Sequence, residues 1–181
     1  MDALTAEKLL AFARNMVQAE LTSPSAVEKP RDLPNLPHGG AFVTLKNRGR
    51  LRGCMGTFSP RETLLETIEC AARLAADDPR FRNYPVTPEE MDDIRIEISV
   101  LSSPEPTDRP EALEVGRHGI WIRRGLASGC FLPQVATERN WSVEQFLSNC
   151  CAMKAGLAPD AWKDPETEVL LFAAEIIAER D

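Results

Sequence analysis

A cysteine set between two glycines is the stretch of this chain best suited to chemistry. Cys54 stands in the run Leu51–Thr57, directly after Gly53 and two residues before Gly56. Glycines inside a strand favour a bulge, or the close approach of another backbone or of a ligand. A thiol can act as a nucleophile, although a free cysteine is more often a small buried hydrophobe. The spacing therefore marks a candidate site without naming a reaction.

Arg52 is the charge nearest to Cys54 along the sequence. Side chains two residues apart in a regular strand share a face, so Arg52 and Cys54 face away from the core if Leu51 and Met55 face it. A guanidinium roughly 7 Å from a sulfur stabilises the thiolate substantially only where water is excluded. We therefore expect Arg52 to assist Cys54 as a catalytic residue only in a sheltered cleft.

Three other residues are candidates to complete a site with Cys54. Arg80, next to Phe81, can bind an anionic ligand or pair with the acidic surface. Glu97, on the polar face of a predicted strand, is either a solvated cross-strand partner or a carboxylate in a cleft. His118, between two glycines, is either a turn residue or a general base, and the turn is the more frequent role.

The elements that position these residues begin at recognisable helix caps. Thr5 is the predicted cap of an amphipathic first helix. Ser59, with a proline after it and Glu62 completing a capping box, predicts a second helix that starts five residues after Cys54. Capping boxes at 87–90 and 142–145 predict two further helices.

Strands are predicted from alternating apolar residues and from turn signals. Asn47–Gly49 predicts the turn of a hairpin, and residues 94–100 form the clearest strand. Residues 168–177 fit a central strand, although their period alone also permits a helix. Helices among hairpin-linked strands predict an α+β fold, with a mostly antiparallel sheet and flanking helices. We expect one domain over residues 1–181, either undivided or divided into a larger and a smaller lobe.

Composition excludes several classes of protein. Hydrophobic residues at 43% and charged residues at 27% are those of a globular chain, and no apolar run is long enough to span a membrane. A net charge of -7 argues against nucleic-acid binding. The five cysteines lack zinc-ligand spacing and are expected to be reduced, so we predict a cytoplasmic protein without a metal site. The four cysteines besides Cys54 are Cys70, Cys130, Cys150 and Cys151.

Ordered motifs along nearly the whole chain resemble those of the AMMECR domain family, called system protein A in the bacterial AmmeMemoRadiSam set. The family's L-R-G-C-I-G motif corresponds to Leu51-Arg52-Gly53-Cys54-Met55-Gly56. Two departures leave the roles of Cys130, Cys150 and Cys151 open: Cys130 replaces an aliphatic residue, and the segment before Lys154 is one residue longer than the family's C-x-K-A-G-L. Further matches are Ala41–Leu45, Asp78–Phe81, Ile98–Leu101, Gly116–Gly119, Leu132–Ala136, Lys154–Leu157 and Trp162.

The resemblance implies a two-lobed α+β domain without an established activity, whose L-R-G-C region is usually proposed as its functional centre. It also implies two partners, a Memo-like protein of dioxygenase-related fold and a radical S-adenosylmethionine protein, and it identifies no cofactor. The first hypothesis is a small-molecule-binding or enzymatic domain that uses Arg52, Cys54 and either Glu97 or His118 in one cleft. The second is a non-catalytic adaptor, and single-stranded nucleic-acid binding comes last. The candidate ligand-binding residues are Gly53, Gly56, Arg80, Glu97 and Gln134.

Overall fold

The structure, a computed structural model, describes residues 1–23, 27–34, 36–58 and 63–180. It divides into two compact units, one formed by Met1–Val100 with the end of the chain from Glu175, the other by Leu101–Ala174. The described α-helices are α1 (Ala3–Thr22), α2 (Leu64–Ala76), α3 (Pro133–Glu138) and α4 (Val143–Cys150). The strands are β1 (Gly40–Asn47), β2 (Arg50–Thr57), β3 (Ile94–Leu101), β4 (Glu105–Pro106), β5 (His118–Arg124), β6 (Ala127–Phe131) and β7 (Glu168–Ala178).

The first unit packs two helices against one face of its sheet. Its strands follow the order β2, β1, β3 and then the end of β7. Because apolar residues alternate along β3, Ile94, Ile96 and Ile98 all face the core and are fully buried there. The helices α1 and α2 contribute the apolar faces that cover them. This arrangement leaves the polar side chains of β1, β2 and β3 on the opposite face.

The second unit builds its own core around β5 and β7. Strand β7 lies between β4 and β5, β6 pairs with β5, and all of these pairings are antiparallel. Phe146 and Leu147 of α4 pack with Ile120 and Ile122 of β5. The α+β fold and the antiparallel sheet predicted from the sequence are thus confirmed, and residues 168–177 form a central strand.

Helix starts were predicted less accurately than strands. The cap of α1 is Asp2, whose carboxylate accepts hydrogen bonds from the amide and hydroxyl of Thr5, so Thr5 is a buried residue of the first turn. The cap predicted at Ser59 falls outside the described residues. The described start of α2 is capped by Thr63, which forms a capping box with Glu66. The capping boxes at 87–90 and 142–145 are present as predicted, the first at a 3₁₀ helix and the second at α4.

Candidate functional site

The hairpin that carries the candidate thiol contains a β-bulge. Leu45 of β1 pairs with Gly53, whereas its neighbour Lys46 pairs with Leu51, so Arg52 is an extra residue in β2. The alternation predicted through Leu51 is wrong at this point, because a bulge reverses the faces beyond it. Leu51 is accordingly 42% exposed instead of facing the core.

Both glycines of the motif lie where another backbone comes close. A Cβ atom on Gly53 would lie 2.1 Å from the carbonyl oxygen of Ala75 in α2. A Cβ atom on Gly56 would lie 2.2 Å from the carbonyl oxygen of Ala41 in β1. The close approach predicted for these glycines is therefore made by protein backbone, and packing alone requires a residue without a side chain at each position.

Cys54 is held through its backbone and through its thiol. The carboxylate of Asp78 accepts a hydrogen bond from the Cys54 amide at 3.0 Å, and Nη2 of Arg80 donates to the Cys54 carbonyl oxygen at 2.8 Å. The hydroxyl of Thr44, the partner of Cys54 across the hairpin, donates to Sγ at 3.3 Å. The thiol is partly exposed and lies on the polar face of the sheet, so it is not enclosed in apolar packing.

Asp78 and Arg80 form an ion pair whose negative end is buried and whose positive end is exposed. The two side chains are 1% and 51% exposed, and Nη2 of Arg80 lies 2.6 Å from the carboxylate. Burial acts to raise the pKa of Asp78, but hydrogen bonds from Arg80 and from the Cys54 amide outweigh it and lower that pKa below its ordinary value. The carboxylate is therefore charged at neutral pH and keeps its hold on the Cys54 peptide.

Arg52 is engaged away from Cys54. Its Nε and Nη2 atoms donate to the two carboxylate oxygens of Glu90 at 3.1 and 2.8 Å. The same guanidinium donates to the carbonyl oxygens of Tyr84 and Pro85, which ties the 84–90 segment to β2. These contacts give Arg52 a structural part in the hairpin, and the cation that bonds to Cys54 is Arg80.

A second ion pair and a buried hydroxyl lie on the polar face of the first unit. Lys46 of β1 donates to Glu97 of β3 at 3.0 Å, which joins two of its strands. Thr44 lies two residues before Lys46, and Ser99 lies two residues after Glu97, so both are on the same face as this pair. Ser99 is 0% exposed, and its hydroxyl has no hydrogen-bond partner among the described residues. Thr44 connects this face to Cys54.

His118 and Gln134 belong to the second unit. His118 is the first residue of β5, and its Nδ1 atom accepts a hydrogen bond from the amide of Glu114 at 3.0 Å. That bond closes the turn before β5, which agrees with the turn role, and it leaves the proton of a neutral ring on Nε2. Gln134 lies in the first turn of α3, where its side-chain oxygen is buried without a hydrogen-bond partner in the described part of the chain.

The two adjacent cysteines belong to the core of the second unit. Cys150 and Cys151 are fully buried, and the thiol of Cys150 donates to the carbonyl oxygen of Gly129 at 3.5 Å. Burial raises the pKa of both thiols, so neither is suited to act as a nucleophile. The chain from Cys151 to Ala155 forms a π-helix, which ends at Gly156 in a left-handed conformation.

Thr44, Asp78 and Lys46 are site residues that sequence reasoning missed. Thr44 and Lys46 alternate with apolar residues in β1, which places them on the polar face but does not indicate their partners. Asp78 precedes a proline, which is the signal of a helix cap, and it does cap the 3₁₀ helix Pro79–Phe81. Its contact with Cys54 spans 24 residues and has no local signal.

The part of the chain that the structure describes contains no cluster of three or more histidine, cysteine, aspartate or glutamate side chains able to hold a metal ion. None of the helices within the described ranges has the length and apolar character needed to cross a membrane.

The geometry defines a class of protein, and comparison with known sequences then gives the family. The chain is an α+β protein with two compact units and a strand-borne thiol on a polar sheet face. A sequence model of the AMMECR1 family matches residues 10–177. The chain therefore belongs to the AMMECR1 family, and the resemblance noted in its motifs is confirmed.

Several known proteins are similar to this chain over most of their length. A protein of Methanothermobacter thermautotrophicus is 46% identical over 94% of this chain and 92% of its own length. Protein TK0174 of Thermococcus kodakarensis is 43% identical over 96% of this chain and 89% of its own. The crystal structure of the uncharacterized protein PH0010 from Pyrococcus horikoshii covers 99% of this chain and 94% of its own, with 39% identity and a TM-score of 0.91.

Proposed function

We propose that this protein binds a small molecule, or acts on one as an enzyme, through the thiol of Cys54 on the polar face of its first unit. The observation that carries the proposal is that three side chains form hydrogen bonds to this residue. Asp78 and Arg80 fix the amide and the carbonyl of Cys54, and Thr44 donates to its sulfur. A reactive group fixed in this way loses little conformational freedom when it meets a ligand.

The surroundings of the thiol suit nucleophilic chemistry. The Thr44 hydroxyl fixes the position of the sulfur, which is the nucleophilic atom of a cysteine. The neighbouring Lys46–Glu97 pair offers a donor and an acceptor within the same polar face. In the second unit, His118 stays a candidate general base and Gln134 a candidate ligand-binding residue, each considered apart from Cys54. Arg52 supports the site by fixing the bulge and the 84–90 segment.

The test is the rate at which each cysteine reacts with iodoacetamide, followed by mass spectrometry of the proteolytic peptides. We expect Cys54 to be modified in the folded protein, while the buried Cys150 and Cys151 serve as internal controls and react only after unfolding. A Cys54 that reacts no faster than these two would contradict the proposal.

Thr44→Val is the matched variant, because valine keeps the shape of threonine and removes its hydroxyl. If the hydrogen bond to the sulfur is worth about 1 kcal/mol, its loss slows the modification of Cys54 roughly fivefold. Thr22→Val, at an exposed hydroxyl that bonds only within α1, is the control for a general effect of the substitution. An unchanged rate in Thr44→Val would show that Thr44 does not tune the thiol.

A second candidate function is that of an adaptor, and exposed apolar side chains favour it. Leu126, at the turn between β5 and β6, is 105% exposed, and Met153 and Tyr84 are also largely exposed. The partners proposed for this function are a Memo-like protein and a radical S-adenosylmethionine protein. In this proposal all of them are cytoplasmic, and residues 1–181 act as a single domain. Complex formation that persists in Cys54→Ser and is lost in Leu126→Ser would favour the adaptor.

A further inference from the structure

The cation beside Cys54 has capacity for a further ligand. Arg80 uses Nε and Nη2 on Asp78 and on the Cys54 carbonyl oxygen, while the described residues provide no hydrogen-bond partner for its Nη1 atom. The hydrogen bond to Asp78 raises the pKa of Arg80, and a smaller contribution in the same direction comes from the Cys54 side chain. The guanidinium therefore stays charged while it lies against the residue that carries the thiol.

Two ion pairs near Cys54 expose their positive partner more than their negative one. In the Asp78–Arg80 pair the carboxylate is nearly fully buried and the guanidinium is half exposed. In the Lys46–Glu97 pair the lysine is 34% exposed and the glutamate 17%. The exposed charge next to Cys54 is therefore that of Arg80, although the Arg52–Glu90 pair of the same hairpin exposes its carboxylate more than its guanidinium and the whole chain carries a net charge of -7.

A polar atom without a partner lies on the same face. The Ser99 hydroxyl is completely buried, and among the described residues no group bonds to it. Buried hydroxyls are normally satisfied by protein, by water or by a ligand, so this one indicates a place for an additional polar atom. It is independent of the charge of Lys46, and it shares with Lys46 the polar face to which Thr44 and Cys54 belong.

We propose that Arg80 selects anionic ligands for Cys54, so that the molecule on which the thiol acts is a small carboxylate or phosphate carrying an electrophilic carbon. This inference rests on the proposed function, because it requires Cys54 to be reactive. In the reaction the sulfur forms a bond to the electrophilic carbon, the leaving group departs with its bonding electron pair, and the thiol proton passes to the buffer. Arg80 holds the anionic group through Nη1 and its exposed face.

Two reagents that differ in charge test the proposal. Iodoacetate and iodoacetamide both form an S–C bond to Cys54 with loss of iodide, and only the first carries a carboxylate. The quantity measured is the ratio of the iodoacetate rate to the iodoacetamide rate, divided by the same ratio for a small neutral thiol. We expect this normalised ratio to be roughly two- to fivefold above one at low ionic strength and to fall towards one in 1 M salt.

Variants of Arg80 identify the responsible charge. Arg80→Gln should lower the iodoacetate rate more than the iodoacetamide rate, and Arg80→Lys, which keeps the charge, should restore most of the preference. Arg82→Gln is the matched control. Arg82 is exposed and lies two residues from Arg80, and its replacement removes the same charge from the chain. If Arg80→Gln does not fold, the salt dependence in the unmodified protein and the Arg80→Lys ratio decide the question.

The outcomes separate this inference from the proposed function. A Cys54 that reacts with neither reagent refutes both. A Cys54 that reacts with iodoacetamide at a normalised ratio of one, or with a ratio that salt does not change, refutes only the selection of anions. An equal loss of preference in Arg82→Gln and Arg80→Gln would assign the effect to net charge and would also overturn the role of Arg80.

Discussion

Replacement of Gly53 by alanine should destabilise the first unit by forcing two backbones apart. The new Cβ atom would lie 2.1 Å from the carbonyl oxygen of Ala75, whereas ordinary contact begins at 3.4 Å, so β2 and α2 must separate by about 1.3 Å. Overpacking of this kind costs about 1–3 kcal/mol, and we expect the upper end because neither backbone can rotate away as a side chain would. In a chain of this length about 3 kcal/mol lowers Tm by roughly 6–12 °C.

Thermal unfolding followed by two probes measures this effect. The long helices α1 and α2 lie in the first unit and dominate the far-ultraviolet circular dichroism, whereas all three tryptophans lie in the second unit and report on it by fluorescence. We expect Gly53→Ala to lower the midpoint of the circular dichroism transition.

Gly49→Ala is the control for Gly53→Ala, since both positions are in the same hairpin. Gly49 has a φ of +77° and no atom within 4 Å of an added Cβ, so its substitution costs only the strain of a left-handed backbone, about 1–2 kcal/mol. Gly53→Ala should therefore be the more harmful change. If it were the milder of the two, the contact between β2 and α2 could not be the reason for a glycine at position 53.

Three further predictions concern charge, thiols and the buried hydroxyl. Glu90→Gln should cost about 1–2 kcal/mol in urea unfolding at pH 7. Hydrogen bonds from Arg52 lower the pKa of Glu90 in the folded state. The stabilisation is therefore present above the unfolded pKa of about 4.3 and is lost as the pH falls through the folded pKa. A cost of Glu90→Gln that does not change with pH would contradict this prediction. Cys150 should react with a thiol reagent only in denaturant, and rapid reaction in buffer would disprove its burial. Ser99→Ala should change the free energy of unfolding by less than about 0.5 kcal/mol, because the Ser99 hydroxyl has no hydrogen-bond partner among the described residues. A large loss of stability would show that the hydroxyl does bond to the protein.

Local patterns in the sequence were sufficient to predict most of the strands. The hairpin around Asn47–Gly49 and the strand at 94–100 follow from turn residues and from side chains that alternate every second position. The capping boxes at 87–90 and 142–145 join residues three apart, so their signal is local as well. Thr5 was the exception, because Asp2 is also a good cap and accepts a hydrogen bond from the Thr5 amide, so the helix begins before Thr5.

The contacts that define the site are distant in sequence and could not be predicted. Asp78 bonds to Cys54 across 24 residues, and Glu90 bonds to Arg52 across 38. Arg52 was the expected partner of the thiol because a regular strand places residues two apart on one face. The bulge at Arg52 breaks that regularity, and the glycine next to it was the only signal that a bulge was present.

The π-helix at Cys151–Ala155 packs closely against a strand of the second unit. A π turn takes up more residues than an α turn because its hydrogen bonds join residues five apart. Gly129 of β6 lies against this turn, since a Cβ atom there would lie 2.4 Å from the amide nitrogen of Ala155. Cys150 and Cys151 are buried where this turn begins, and neither thiol has a part in the proposed chemistry.

The hydrogen bonds to Cys54 protect the edge of the strand as well as fixing the thiol. Strand β2 stands at the end of the strand order, and an edge strand exposes amide and carbonyl groups to which another chain can pair. Asp78 and Arg80 occupy the amide and the carbonyl of Cys54, so the contacts that fix the thiol also protect this part of the edge. Removal of Asp78 would therefore alter folding, self-association and thiol reactivity together. Thr44 bonds to the sulfur and not to the backbone of the edge strand, so its replacement tests the thiol alone. Replacement of Arg80, with Arg82 as the control, tests the effect of the neighbouring charge. Variants of Thr44 and Arg80 therefore distinguish the reactivity of Cys54 from the stability of the strand.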